Sequence, residues 1–278
     1  MKPTIVMQSD FGVNSGLVAC MHGMCKLVDG ELITCDITHL LPAFDIEAAS
    51  YCLQYTVPYW PAGTVFVSVV DPGVGTSRRA SVAKLKNGSY VVTPDNGTLT
   101  YLNAMIGVEA IREIDEEKNR YQETKEVHTF HGRDLFAYCA AKLASGKITF
   151  EEVGKEYPTE EIVLHKIQTA EVREKYVRAV IQSYDPFGSA ELSVLNSNFV
   201  KAGFKIGEKL HVTIGTDDKK VFDGLIPYER SFGYVGKGED VLFNNLASFV
   251  TIGSNQADFR QKYHMEPDVN YTVEICEA

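Results

Sequence analysis

Thr64-Val-Phe-Val-Ser-Val-Val70 is an almost unbroken β-branched and aromatic run, and Asp71-Pro-Gly-Val-Gly75 follows it directly. A strand with no polar face is expected where both faces of a sheet are covered, as in parallel sheets flanked by helices. Upstream, Thr4–Met7 reads as a short apolar strand. Asn14 or Ser15 is placed to cap a helix that carries Leu17, Val18, Met21, Met24 and Leu27 at helical spacing, and Gly30 closes it. Leu32–Cys35 is the next strand. Pro42 and Asp45 then open a helix over Ile46–Tyr55, with Asp45 as its N-cap. This alternation predicts an α/β domain with a mainly parallel sheet.

Downstream, Ala80–Leu85 and Ser89–Thr93 flank Asn87-Gly88, a strong hairpin signal. Glu113–Glu126 is dense in charge and reads as a solvated loop. A helix is expected from Asp134 to Leu143, stopped by Gly146. From Tyr176 the style changes to short strands: Val177–Ser183, Lys209–Ile214, Lys220–Phe222, Val241–Phe243, Phe249–Ile252 and Tyr271–Ile275. The expected organisation is an α/β catalytic domain over residues 1–170 and a smaller all-β, barrel-like C-terminal domain over residues 171–278.

The 278 residues are 45% hydrophobic and 23% charged, as in ordinary globular proteins rather than disordered chains. Lys and Arg total 27 against 37 Asp and Glu, a net charge of −10 with no basic stripe, so nucleic acid is not an expected partner. No apolar run approaches the ~18–20 residues that span a bilayer, and Asp10 interrupts any export signal, so a cytoplasmic protein is expected. The six cysteines contain no C-x-x-C pair and are expected to be reduced and mostly buried. Cys20, His22 and Cys25 lie close together, but no second ligand pair follows, so no metal site is expected.

Ligands of open α/β sheets bind at the carboxyl ends of strands. Three polar clusters are expected there: Ser9-Asp-Phe-Gly12, Asp36-Ile-Thr-His39, and Asp71-Pro-Gly-Val-Gly-Thr-Ser-Arg-Arg79. The third lacks the Lys-Ser/Thr of a phosphate loop, and a strand rather than a helix follows it. Thr93-Pro-Asp-Asn-Gly97 and Thr129-Phe-His-Gly-Arg-Asp134 complete the set; in the latter, Asp134 suits a helix N-terminus.

Together, Val69–Arg79, Thr93–Gly97 and Thr129–Asp134, with Ser9–Gly12, Asp36–His39 and Leu41–Ala49, resemble the S-adenosyl-L-methionine (SAM) hydroxide adenosyltransferases, or SAM hydrolases, relatives of the fluorinases and chlorinases. The resemblance implies hydrolysis of SAM to adenosine and L-methionine without a further cofactor. It also implies a homotrimer whose active site lies between subunits. Asp71, Arg78 and His131 match the family's catalytic triad, and Asp10 matches the carboxylate that holds the ribose hydroxyls. Phe44 falls at an aromatic position near the ribose and methionine, and Asn96, within the matching Thr93–Gly97 motif, is expected to bind substrate. In the C-terminal half Asp185, Phe187, Asn245 and Phe249 fit the pattern. Ser189 stands where the family has an Asn at the methionine moiety, and Leu246 replaces a Ser at the adenine end.

A sulfonium leaves readily, so the implied difficulty is the nucleophile. Free hydroxide at pH 7 costs about 12 kcal/mol, given a water pKa of ~15.7. A site that positions one water behind C5′ and accepts its developing charge lowers that demand. Halogenases lack the Asp-Arg-His set, and a carboxylate beside the nucleophile position disfavours halide. The alternatives to a hydrolase are therefore a halogenase-like enzyme or a non-catalytic SAM- or adenosine-binding protein.

Overall fold

In the computed structural model, which describes residues 2–267 and 269–278, the chain divides into two compact units, Met1–Lys166 and Ile167–Ala278. The first is built from β1 (Ile5–Ser9), α1 (Leu17–Val28), β2 (Thr34–Thr38), α2 (Ile46–Thr56), β3 (Val65–Val69), β4 (Ala80–Leu85) and β5 (Tyr90–Pro94). It continues with α3 (Thr100–Met105), β6 (Val108–Glu113), α4 (Glu116–Asn119), α5 (Tyr138–Ala144) and β7 (Glu156–Tyr157).

The strand that opened the sequence argument is buried along its whole length. Val65 and Val67 pack with α1 and α5, while Phe66 packs on the other face with residues of α2 and α3. Alternate side chains of one strand thus enter two cores, which is why no polar face appears in its sequence. The sheet order is β2-β1-β3-β5-β4-β6-β7. It is mixed rather than mainly parallel: β2-β1, β1-β3 and β3-β5 run parallel, whereas β5-β4, β4-β6 and β6-β7 run antiparallel. The cause is the Asn87-Gly88 hairpin. Gly88 takes φ +84° and its N–H bonds Leu85 O at 2.9 Å, turning the chain back so that β5 runs antiparallel to β4 while pairing parallel with β3, and β6 and β7 then add antiparallel beyond β4.

Other local expectations shift in instructive ways. Asp45 does cap α2, its carboxylate accepting from Ala48 N at 2.8 Å. The residue preceding α1 is Gly16, with no side-chain cap, rather than Asn14 or Ser15. Its buried stripe is Met21, Met24, Cys25 and Val28, while Leu17 and Leu27 face solvent. The charged stretch after β6 is not simply a solvated loop. It contains α4, and buried Asn119 donates to the carbonyls of Glu152 and Val153. The helix expected from Asp134 instead begins as a π-helical turn, Gly132–Ala137, which leads into α5. Asp134 is fully buried and ion-paired to Arg133 at 2.6 Å, more than a dipole partner. Cysteine burial is uneven: Cys25, Cys52 and Cys139 are buried, Cys35 and Cys276 partly so, and Cys20 is exposed; all six are free thiols.

The second unit carries β8 (Glu171–Arg173), β9 (Tyr176–Tyr184), β10 (Ala190–Leu195), α6 (Asn196–Lys201), β11 (Lys209–Gly215), β12 (Lys220–Pro227), β13 (Asp240–Asn244), β14 (Phe249–Ser254), α7 (Phe259–Lys262) and β15 (Thr272–Glu277). Antiparallel strands follow in the order β12-β11-β15-β9-β10-β14-β13, with β8 added to β9. A bridge between Tyr228 and Leu242 brings the two ends together, so the sheet is a nearly closed barrel. Strand β10 escapes sequence reading because its polar residues point inward. Glu191 is bonded by Ser183 and Asn245, and Ser193 Oγ accepts from Val180 N. Among the described residues no helix is long and apolar enough to cross a membrane.

Candidate active site

The loop after β3 carries Asp71, and the entry to β4 carries Arg78. Arg78 Nε donates to both Asp71 carboxylate oxygens (3.0 and 3.1 Å), and Nη2 donates to Oδ2 at 2.5 Å. Such paired charge-assisted bonds fix the guanidinium plane. Nη2 also lies 3.0 Å from His131 Nδ1. A guanidinium only donates, so His131 accepts there and carries its proton on Nε2. His131 is 4% exposed, and Nε2 has no hydrogen-bond partner among the described residues. Burial first, and then the Arg78 charge, hold His131 below its ordinary value of 6.5, keeping the imidazole neutral. The guanidinium further rests 5.2 Å from the centre of the Phe136 ring, on the π-helical turn that starts after His131. Turns of this kind recur at functional sites.

The loop following β1 meets the same region. Phe11 packs on Gly132, where a Cβ would stand 2.9 Å from the ring, so only glycine fits beside His131. Phe11 also makes an edge contact with Phe130 at 5.8 Å. Asp10 Oδ2 accepts from Phe44 N at 2.9 Å and holds Phe44 at φ +67° with its ring 72% exposed. A non-glycine residue in that region costs about 1–2 kcal/mol, so an exposed aromatic is being held deliberately. Asn96 donates to Val70 O at 2.9 Å and accepts from Thr98, and so anchors the end of β3 that presents Asp71. Its carboxamide is therefore engaged in positioning that loop.

The Asp36–His39 segment starts earlier on its strand than the sequence suggested: Asp36, Ile37 and Thr38 belong to β2 and only His39 follows it. Asp36 sits within β2, an edge strand, where charge is tolerated because one side of the strand is open. Nor do Cys20 and Cys25 join His22: Cys25 packs inward against Ala137 O, whereas His22 turns to Thr34 and Asp36.

The C-terminal candidates occupy two turns of the barrel. Asp185 Oδ1 accepts from Phe187 N (2.8 Å) and Ser189 N (2.9 Å), leaving Phe187 75% exposed and Ser189 buried. Gly188 is obligatory there: φ is +79°, and a Cβ would lie 2.0 Å from Asp258 Oδ1. Asn245 Oδ1 accepts from Ala247 N and Phe249 N, and its amide reaches Glu191 at 2.6 Å. Leu246 is exposed and Phe249 is buried. The pairings Ala190–Ile252 and Leu195–Phe249 put the two turns at opposite ends of the bulged β10–β14 ladder, about 10 Å apart along β14 and about 17 Å along β10 at ~3.4 Å per residue.

Comparison with known proteins gives a consistent result. The SAM hydroxide adenosyltransferase N-terminal domain matches residues 5–154, and the corresponding C-terminal domain matches residues 179–272. A protein of Thermus thermophilus named (R)-S-adenosyl-L-methionine hydrolase is 31% identical over 270 residues, covering 94% of this chain and 95% of its own. One of the same name from Salinispora arenicola is 32% identical, over 86% of this chain and 94% of its own. A fluorinase from Actinopolyspora mzabensis is 25% identical across 98% of this chain and 97% of its own. The crystal structure of an uncharacterized conserved protein from Thermotoga maritima superposes with a TM-score of 0.90 at 31% identity, covering 99% of this chain and all of that one.

Proposed function

Because the chain belongs to the SAM hydroxide adenosyltransferase family, we propose that it is an enzyme hydrolysing SAM to adenosine and L-methionine. The observation that carries this reading is the Asp71–Arg78–His131 chain of contacts. Water oxygen bonds to C5′ as the C5′–S bond breaks, and the sulfur keeps the electron pair as the thioether of methionine. The leaving group is already cationic, so the reaction calls for neither a general acid nor a cofactor.

The contacts divide the work. Arg78 and the Nε2–H of His131 are donors, suited to negative charge growing on the attacking oxygen. His131 Nδ1 is engaged by Arg78, so the proton goes to Asp71, whose Oδ1 accepts, among the described residues, only the 3.0 Å bond from Nε. Asp10 offers its carboxylate to the ribose 2′- and 3′-hydroxyls, with Phe44 against the ribose and methionine. We assign the methionine moiety to the Asp185–Ser189 turn and the adenine to the Asn245–Phe249 turn; their separation suits an extended ligand. Phe44 and Phe187 are both exposed, and in each case an aspartate holds the backbone N–H. We further propose a cytoplasmic homotrimer in which the N-terminal domain of one chain and the C-terminal domain of another share each ligand. Mixing His131→Ala protein with Asp185→Ala protein then restores part of the activity.

Chromatography of SAM incubations with and without chloride tests the reaction. Adenosine and methionine in both are expected. A 5′-chlorinated nucleoside would mark a halogenase, and intact SAM a binding protein. The pH profile follows from His131. Protonation forces an N–H onto Nδ1 and breaks the Arg78 contact, so activity stays level through neutrality and falls only below the ordinary histidine range. Stability follows the same sign. As pH falls below about 6.5 the unfolded chain takes up the proton first, so stability is complete above that value and declines toward the lower folded-state value. An acid limb centred above pH 7 would contradict this assignment.

A further inference from the structure

We propose that His22, Asp36 and His39 form a binding site for one divalent transition-metal ion of the zinc class, distinct from the Asp71–Arg78–His131 site. His22 comes from α1, Asp36 from β2 and His39 from the turn after β2. His22 Nε2 lies 3.0 Å from Asp36 Oδ1, and His39 Nε2 lies 3.1 Å from the same oxygen. One ligand atom from each residue falls within 4.8 Å of the other two. Ligands on a tetrahedral zinc with bonds of ~2.0–2.1 Å stand roughly 3.3 Å apart, close to both imidazole–carboxylate distances, and the two imidazole nitrogens lie within 4.8 Å of each other.

Both imidazoles are oriented from behind. His22 Nδ1 meets Thr34 Oγ1 at 2.8 Å, and His39 Nδ1 meets Ser9 Oγ at 2.6 Å. Each hydroxyl can accept from an Nδ1–H, the tautomer that presents an Nε2 lone pair to a metal. Thr34 and Asp36 stand two residues apart on β2, so one strand face supplies both a ligand and an orienting hydroxyl.

An ordinary surface ion pair, of the weak kind common on protein surfaces, accounts for His22 and Asp36. It does not account for His39. That residue is 4% exposed, its Nε2 is turned toward the cluster, and no hydrogen bond satisfies it despite the short distance to Asp36. Buried polar atoms are rarely left without a partner. Two imidazoles and one carboxylate select zinc, cobalt, nickel or iron over magnesium and calcium, which prefer oxygen-only shells. Three protein ligands leave a position for water. Gly12 N donates to His39 O at 2.7 Å, so the site is tied to the loop that carries Asp10.

The test uses the full chain stripped with chelator and titrated with Zn2+ against a chromophoric competitor, then with Co2+ for its spectrum. One equivalent per chain is expected, together with a rise in Tm on loading. His22→Gln and Asp36→Asn, both at solvent-accessible positions, are expected to weaken binding ~100-fold or more, and Thr34→Val ~10-fold. The Co2+ form is expected to lack a thiolate charge-transfer band. Binding unchanged in His22→Gln and Asp36→Asn, a thiolate band pointing to Cys20 or Cys35, or no uptake against the competitor would each overturn the proposal. None of these readouts depends on SAM turnover.

Discussion

Two neighbouring arginines make two Asp–Arg pairs of opposite character. Arg79 bonds Asp95 at 3.2 Å, the side chain of Glu161 at 2.9 Å and the carbonyl of Glu161 at 2.6 Å, and it stacks 4.2 Å from the Tyr157 ring centre. Asp95 also accepts from Tyr157 Oη and Val163 N, and its side chain is 1% exposed. Burial pushes the Tyr157 phenol up, so it stays a donor. Every group in this pair is satisfied inside the first unit, and the pair ties β5 to the segment after β7. Arg78 instead links Asp71 to a histidine whose far nitrogen has no partner among the described residues. A saturated buried pair holds a fold together, whereas an unsaturated one keeps bonding capacity for a substrate.

The largest expected effect separates the two pairs by chemistry. Asp71→Asn or Arg78→Ala leaves a folded protein and lowers adenosine formation by ~10²–10⁴-fold, as loss of a positioned acid–base or charge-stabilising group does. Steady-state rates alongside circular dichroism read this directly, and near-wild-type turnover in both variants would remove the catalytic assignment. Asp95→Ala does the reverse. It strands Arg79 and Tyr157 and costs about 3 kcal/mol of stability, measurable by denaturant titration, with turnover per folded molecule largely kept. If Asp95→Ala instead abolished turnover at full stability, the contrast between the pairs would collapse.

Smaller effects sharpen the ligand side. Asp10→Ala removes a charged acceptor worth ~1.5–3 kcal/mol and weakens adenosine binding accordingly in calorimetry; an unchanged Kd rejects the ribose role. The smallest effect is expected of Phe44→Gly. Relieving φ +67° raises Tm slightly, by up to about 1 kcal/mol of stability, while loss of the ring weakens SAM binding. A lower Tm would mean that the Phe44 ring supports the fold and is not held out for a ligand.

Local chemistry was legible in the residues themselves. The apolar run before Asp71, the Asn87-Gly88 turn and the Asp45 cap each reflect energies confined to a few neighbouring residues, and the structure keeps all three. The motif order from Ser9 to Asp134 likewise carried the family, because the motifs are contiguous in sequence. Tertiary structure alone decided the mixed sheet, since strand direction beyond the hairpin depends on which edge each later strand joins. It also decided β10, whose inward Glu191 and Ser193 are tolerated only because Ser183, Asn245 and Val180 meet them from other strands. The His131 tautomer depends on Arg78, 53 residues earlier, and the His22–Asp36–His39 cluster on the crossing of α1 with an edge strand. Contacts between distant elements leave no periodic trace in a sequence, because their energy is gained only after the chain has closed those loops.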